Sequence, residues 1–282
     1  GIAGTSAGLI KATRAEKKAK EEAQTAQQVS DFLVGLFKVS DPSEARGNSI
    51  TAREILDQGA EKIETGLTGQ PIIQSRIMET IGQVYQNLGL FGRAEPLLKK
   101  MIEIRKKEVG GDHYAVALGM LNLAWLYLMQ KRTAEAEPLV RQSVEILQAT
   151  LPGETWELSR GLFMLGIIHR DKGEYAPAHE YLDRSLAICE KLFGRDHERG
   201  SYPLYHLGWR HKRTGEFGEA EKYYERALSI MERELGPDHP SVIWCLNDLA
   251  VVEDNKGDYS KAKDLNARAL SIGEKIWGPE QP

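Results

Sequence analysis

The 282-residue sequence has little of what small catalytic or metal-binding domains are built on. It holds two cysteines, Cys189 and Cys245, set 56 residues apart with no paired spacing. Neither a disulfide framework nor a zinc site follows from them, and both read as helix-packing residues. The most apolar run, 115–129, is too short to span a bilayer and contains Asn122. The net charge of −4 gives no electrostatic footprint of a nucleic-acid binder. No signal-peptide order of charge, apolar stretch and cleavage site can be read. What the chain does have is 41% hydrophobic and 28% charged residues, enough to bury a core under a helical, soluble surface.

That core is written as a repeat. Ala94, Ala136, Ala178, Ala220 and Ala262 recur at a step of 42 residues. The same step connects Ile81, Leu123, Leu165, Leu207 and Leu249, and beside them Gly82, Ala124, Gly166, Gly208 and Ala250. A further series runs Ile104, Ile146, Ile188, Ile230 and Ile272. Five copies of one unit predict a stack, with a surface and a groove rather than an enclosed catalytic pocket.

Each unit reads as two helices. In the third, Leu162, Leu165, Gly166 and His169 lie on one face of a helix over 155–172, and Gly173 stops it. A second helix over 174–193 buries Ala178, Leu182, Ser185, Leu186 and Cys189, and Gly194 ends it. Gly89, Gly215 and Gly257 share the register of Gly173, and Lys131 alone departs from it. At the junctions, Asp112, Glu154, Asp196, Asp238 and Glu280 stand two residues after the helix stop, where Asp is expected to cap the next helix. Pro240, Pro96 and Pro138 are expected in first turns. Pro203 falls deeper in its unit, which predicts a late start near Ser201 or a kink.

The front of the chain is less regular. Residues 51–65 extend the register backwards as the second helix of a degenerate unit whose first helix covers 23–39, joined by the long connection 40–48. Ala12, Ala15, Ala19, Ala23 and Ala26 form a narrow stripe, either a solvated helix extension or a coiled contact with another chain. An apolar start, 1–10, followed by the basic run 11–20, looks like the cytoplasmic flank of a membrane helix, and equally like a terminus without fixed structure. The expected organisation is therefore 1–22 as a membrane-flanking or linker helix, 23–69 as the degenerate unit, and 70–282 as five full repeats.

Gly82 with Tyr85 and Ala94, and Ala124 with Tyr127 and Ala136, resemble the tetratricopeptide repeat. Later units replace the tyrosine by His169, His211 and Glu253. The 42-residue length and the Asp238-His239-Pro240 junction are similar to the kinesin light chain type. The resemblance implies an all-α, right-handed superhelical solenoid whose first helices line a concave side. Projected onto that side, the candidate peptide-binding groove comprises Arg76, Leu121, Trp125, Arg160, Phe163, Arg170, Tyr202, Tyr205, Trp209, Lys212, Trp244 and Asn247. Tyr, Trp and Arg are types that concentrate binding energy, and the Arg and Lys groups suit a carboxylate-bearing partner. The alternative is that these aromatics pack between adjacent repeats or are covered by the N-terminal helix. Asn87, Asn122, Asn247 and Asn255 offer amides to a peptide backbone but share no register.

A second resemblance covers 29–37 (VSDFLVGLF), 40–48 (SDPSEARGN) and 51–56 (TAREIL). These strings are similar to bacterial membrane-anchored Ser/Thr protein kinases, in which they follow a kinase domain and a membrane helix and lead into such repeats. The resemblance implies a sensory or docking region, tethered at the inner membrane through a helix upstream. None of the kinase residues is present: no Gly-rich loop with its Lys strand, no His-Arg-Asp loop, no Asp-Phe-Gly. A free-standing adaptor of the light-chain kind is the competing reading.

No catalytic residue, metal or cofactor is expected. Gly4-Thr-Ser-Ala-Gly8 matches the Gly-x-Ser-x-Gly elbow around Ser6 but lacks a preceding strand. His113, His197 and His239 recur one per repeat and read as helix-start residues, and His206 and His211 miss the spacing of two ligands on one helix face. The expected partner is a protein or peptide in the concave groove, with self-association through the N-terminal helix and no nucleic acid.

Overall fold

Left-handed residues punctuate the chain where the repeat needs them. Gly89, Gly173, Gly215 and Gly257 have φ between 72° and 88°, a region that costs a side chain about 1 kcal/mol or more. Lys131 takes the same turn at φ 61°. The helices between these turns follow the expected pairing.

The computed structural model describes residues 52–67 and 69–278, and places 16, 20, 23, 26, 27, 29–31 and 34 in helix. The first complete helix is α1 (Ala52–Gly66). The repeats follow as α2 (Pro71–Asn87) with α3 (Phe91–Val109), α4 (Tyr114–Met129) with α5 (Thr133–Thr150), and α6 (Trp156–Asp171) with α7 (Tyr175–Phe193). Then come α8 (Ser201–Arg213) with α9 (Phe217–Leu235), and α10 (Pro240–Lys256) with α11 (Tyr259–Trp277). Among the described residues there is no strand, and the fold class is an all-α helical-repeat solenoid. The chain divides into two bodies, Gly1–Leu126 and Tyr127–Pro282. The connection 40–48, most of the alanine stripe, the apolar start and Ser6 lie outside the described residues.

Small residues let the paired helices close. A Cβ on Gly166 would lie 2.7 Å from Leu182 Cγ, and one on Gly82 would lie 2.9 Å from Leu98 Cδ2. Around these crossings the second body builds one continuous core, running from Phe163 and Leu182 through Leu204, Tyr224 and Leu228 to Leu246 and Ile272. Fully burying each such side chain contributes about 1.5–3 kcal/mol.

Two expectations about helix ends are corrected. Among the described residues the junction acids do not cap. The next residue does: His113, His197 and His239 accept at Nδ1 from the backbone N–H two residues on, at 3.1–3.2 Å. At the second junction Thr155 Oγ1 accepts from Leu158 N at 3.2 Å. The acid one residue before is left for an exposed ion pair with the following second helix, as in Glu154 with Lys191 at 2.8 Å and Asp238 with Lys275 at 3.1 Å. Such pairs are worth little. Pro96 and Pro138 sit inside α3 and α5 rather than in their first turns. Pro240 does open α10. In the Pro203 unit a short 3₁₀ turn, Glu198–Gly200, delays α8 to Ser201, as the proline required.

Candidate binding face of the first helices

The register expected to line a groove separates into buried and open members. In the first body, Leu121 is fully buried, Arg76 is partly exposed and Trp125 is open. The polar groups beside them are occupied. Arg105 Nη2 donates to Glu79 at 2.6 Å, and Asn122 donates to the other Glu79 oxygen at 2.6 Å. Asn122 is therefore a clamp within the body and no rung of an amide ladder. Asn255 likewise turns back to the Val251 carbonyl at 2.7 Å.

In the second body, α6 and α8 present an aromatic face crossed by cations. Phe163 is buried, and its ring lies 5.5 Å from His206. Arg170 donates to His206 Nδ1 at 2.7 Å and to Asp171 at 2.7 and 2.9 Å, with its guanidinium 5.6 Å from the Trp209 ring. Arg213 lies 5.5 Å from both the Tyr175 and Trp209 rings and meets no carboxylate among the described residues. Burial, then the Arg170 charge, push the His206 imidazole down to about 3. Arg160 is partly exposed.

Further along, Lys212 is drawn into an ion pair with Asp248, and Tyr205 Oη donates to the same carboxylate at 2.6 Å. Burial, with Asp248 beside it, pushes the Tyr205 phenol upward. Lys212 and Tyr205 thus fasten α8 to α10 and offer less to a partner than their types suggest. Beyond them the face opens. Trp244 is 55% exposed, Val251 47% and Tyr202 39%, and Asn247 is exposed between the first two on α10.

Asp248, Tyr175 and His179 were missed by sequence reasoning. A signal existed in the spacing. Arg170–His206 and Lys212–Asp248 are both 36 apart, and Glu79–Asn122 and Tyr205–Asp248 are both 43 apart. The same crossing of successive first helices repeats, so either pair predicts the other.

The residues that replace the family tyrosine are structural. Tyr85 donates to Asp57 at 2.5 Å, and His169 and His211 each pair through Nδ1 with a glutamate five residues on, at 2.5 and 2.6 Å. Glu253 is buried against Lys261 at 2.6 Å and Lys256 at 3.0 Å. Glu221 and Glu225 bring oxygens within 4.8 Å of it, a spacing a cation could bridge. Hydrogen bonds from Lys256 and Lys261 hold Glu221 down at about 2. Two ammonium groups therefore already offset two of the three carboxylate charges.

The profile of the tetratricopeptide-repeat family matches residues 74–149, 157–233 and 211–275. The chain belongs to that family. Among solved structures, BtubC (BKLC) from P. vanneervenii superposes with a TM-score of 0.66 at 20% identity, covering 83% of this chain and 95% of that one. A putative kinesin light chain of nearly identical repeats from Podosopora anserina gives 0.54 at 24%, covering 72% and 96%. A Rap protein complexed with Competence and Sporulation Factor gives 0.63 at 16%, covering 88% and 77%. None of the curated proteins matches the sequence. At these identities the likeness shows the fold, and kinesin-light-chain-like repeat proteins are among the structural matches. A repeat scaffold of this family serves protein–protein interaction. No described helix is long and apolar enough to cross a membrane.

Proposed function

We propose that the chain is a non-catalytic docking scaffold that holds a protein segment against its first helices, along the face running from Arg160 and Tyr202 to Trp244. One observation carries the reading: Tyr202, Trp244 and Val251 are exposed on adjacent first helices, while Leu204, Val242, Leu246 and Leu249 on the same helices are buried. Large apolar side chains left open in a group mark interaction sites. A Rap protein with the same fold is complexed with Competence and Sporulation Factor, which supports ligand binding by analogy of fold alone. The partner is expected to present apolar side chains toward Trp244 and an acidic group toward Arg213.

The test is capture with the full chain and with the Tyr202→Ala, Trp244→Ala double variant. A partner held by the parent and lost by a variant of unchanged helicity supports the reading. Equal capture by both removes this face from consideration.

The link to a bacterial Ser/Thr kinase, as its sensory or docking region, rests on the resemblance of 29–56. A reading frame with a kinase domain upstream supports it; a frame without one favours a free-standing adaptor. Self-association through the alanine-striped segment is tested by deleting residues 1–22. The repeats should stay folded and only association should change, and a loss of helicity across the array refutes this.

A further inference from the structure

A cleft in the second body lies between α6, α7 and α8. Arg170, Tyr175, His179, His206, Trp209 and Arg210 line it, with two aliphatic side chains of α7. Two guanidinium groups and two imidazoles converge there, and no carboxylate lines the space.

The His179 ring is the informative member. Its Nε2 lies 3.1 Å from Asp183 Oδ2, which fixes the ring proton on that nitrogen. Nδ1 then carries a bare lone pair, and it is buried with no hydrogen-bond partner. A buried acceptor left unpaired needs a physical reason. The surroundings supply one. Asp183 on its own helix and Glu216 after α8 favour a second proton, while burial and the Arg210 and His211 charges oppose it, and the opposing group wins. Arg170 and His206 face the same space from α6 and α8, and burial, then the Arg170 charge, hold His206 neutral as well. Asp171, Asp183 and Glu216 stand behind the lining groups, so the charges that face the space itself are those of the two guanidinium groups.

The guanidinium groups keep donors for a ligand. Of its five N–H groups Arg170 commits three, two to Asp171 and one to His206. Arg210 meets His211 and Glu216 through Nη1 alone, at 3.2 and 3.6 Å. The Trp209 and Tyr175 rings, 5.8 Å apart, wall the space and lower its polarity, which strengthens charge-assisted bonds inside it.

We propose that this cleft binds a small oxyanion, a carboxylate or a phosphate group, held by Arg170 and Arg210 and by an Nδ1–H that His179 acquires as the ligand arrives. Burial first, and then the Arg210 charge, kept His179 neutral, and the anion offsets the Arg210 part. One proton then passes from solvent to Nδ1, and the new N–H donates to the anion. That N–H is the only bond formed, and the solvent is the proton's source. Neither Tyr202 nor Trp244 lines the cleft.

The experiment follows the histidine ¹⁵N resonances of the full chain during titration with sodium acetate and, separately, sodium phosphate, with sodium chloride matching ionic strength. The expected result is a saturable change at His179 Nδ1 toward the protonated form. Apparent affinity should rise by up to about tenfold per pH unit as pH falls from 8 toward 6.5, the slope of one proton taken up. Arg210→Gln should weaken binding at least tenfold, and Arg210→Lys, which keeps the charge without the fork, should weaken it less. A response to acetate assigns a carboxylate, and one to phosphate alone assigns a phosphoryl group. Responses no larger than those to chloride, or unchanged in both Arg210 variants, overturn the proposal. Trp244→Ala should leave the titration intact, so failure here and failure of the docking face are read separately.

Discussion

The α6–α8 region and α10 carry the same register with opposite outcomes. On α6, Phe163 closes over the core and Arg170 is tied to Asp171 and His206. On α10, the residue in the Phe163 register is Asn247, and Trp244 and Val251 beside it stay in solvent. The hidden positions hardly differ: Leu165, Leu207 and Leu249 are all 2% exposed or less. The periodic positions thus build the scaffold, and chemistry enters through positions the period leaves free.

The largest test of that contrast is a pair of truncations. Phe163→Ala should lower stability by about 3 kcal/mol, whereas Trp244→Ala should change it by no more than about 0.5 kcal/mol. Urea titration of each variant decides; equal losses would break the comparison. The second helices give a matched pair. Leu228 is 9% exposed and Leu270, one repeat later, is 63% exposed. Leu228→Ala should cost about 2–3 kcal/mol and Leu270→Ala well under about 1 kcal/mol.

Asp248 joins the closed region to the open one. Asp248→Ala removes the acceptor of Tyr205 and the counter-charge of Lys212. A loss of about 2 kcal/mol is expected, less than for a fully buried pair because the site is partly solvated. A double-mutant cycle with Lys212→Met checks it, and additive losses would show that the pair does not couple.

Acid should act on α6–α8 before it acts on α10. His206 is held near 3 when folded and titrates near 6.5 when unfolded. The unfolded chain therefore takes up the proton first. The stability contribution is complete above about 6.5 and is lost as pH falls from there toward 3. His179 is shifted in the same direction, by burial first. Glu221, near 2, adds its loss only below the ordinary carboxylate range. Melting temperature should fall between pH 7.5 and 5, and His206→Asn should flatten that fall. A fall unaltered in the variant would remove His206 as its source.

The smallest expected effect is at Lys131. Lys131→Gly puts the residue of the other repeats into the φ 61° turn, and should raise stability by up to about 1 kcal/mol. No gain would mean that Lys131 makes up the strain elsewhere.

Periodicity made the helical pairs and their stops legible, because a step of 42 residues fixes which side chains meet within a unit. The Gly166–Leu182 crossing and the late start of α8 at Ser201 both follow from single residues whose sterics are local. The caps were misplaced by one residue because Asp is the commoner cap. A histidine Nδ1 serves here through a turn in which its own N–H bonds back to the glycine three residues before, at 3.2–3.4 Å. The face was harder to read. Lys212 and Tyr205 carry binding chemistry as types, but a carboxylate 36 and 43 residues away engages both. Composition gives the inventory of a surface, and only packing gives what is already engaged.

Photo-crosslinking tests the docking face most directly. A benzophenone side chain is placed at Asn247, between Trp244 and Val251, and in a second protein at Asn266, which is exposed on α11. Irradiation in lysate of the source cells should give a discrete adduct from position 247, lost when Trp244→Ala is added, and none from position 266. Adducts of equal yield from both positions, or an adduct from 247 indifferent to Trp244, would contradict the assignment of this face.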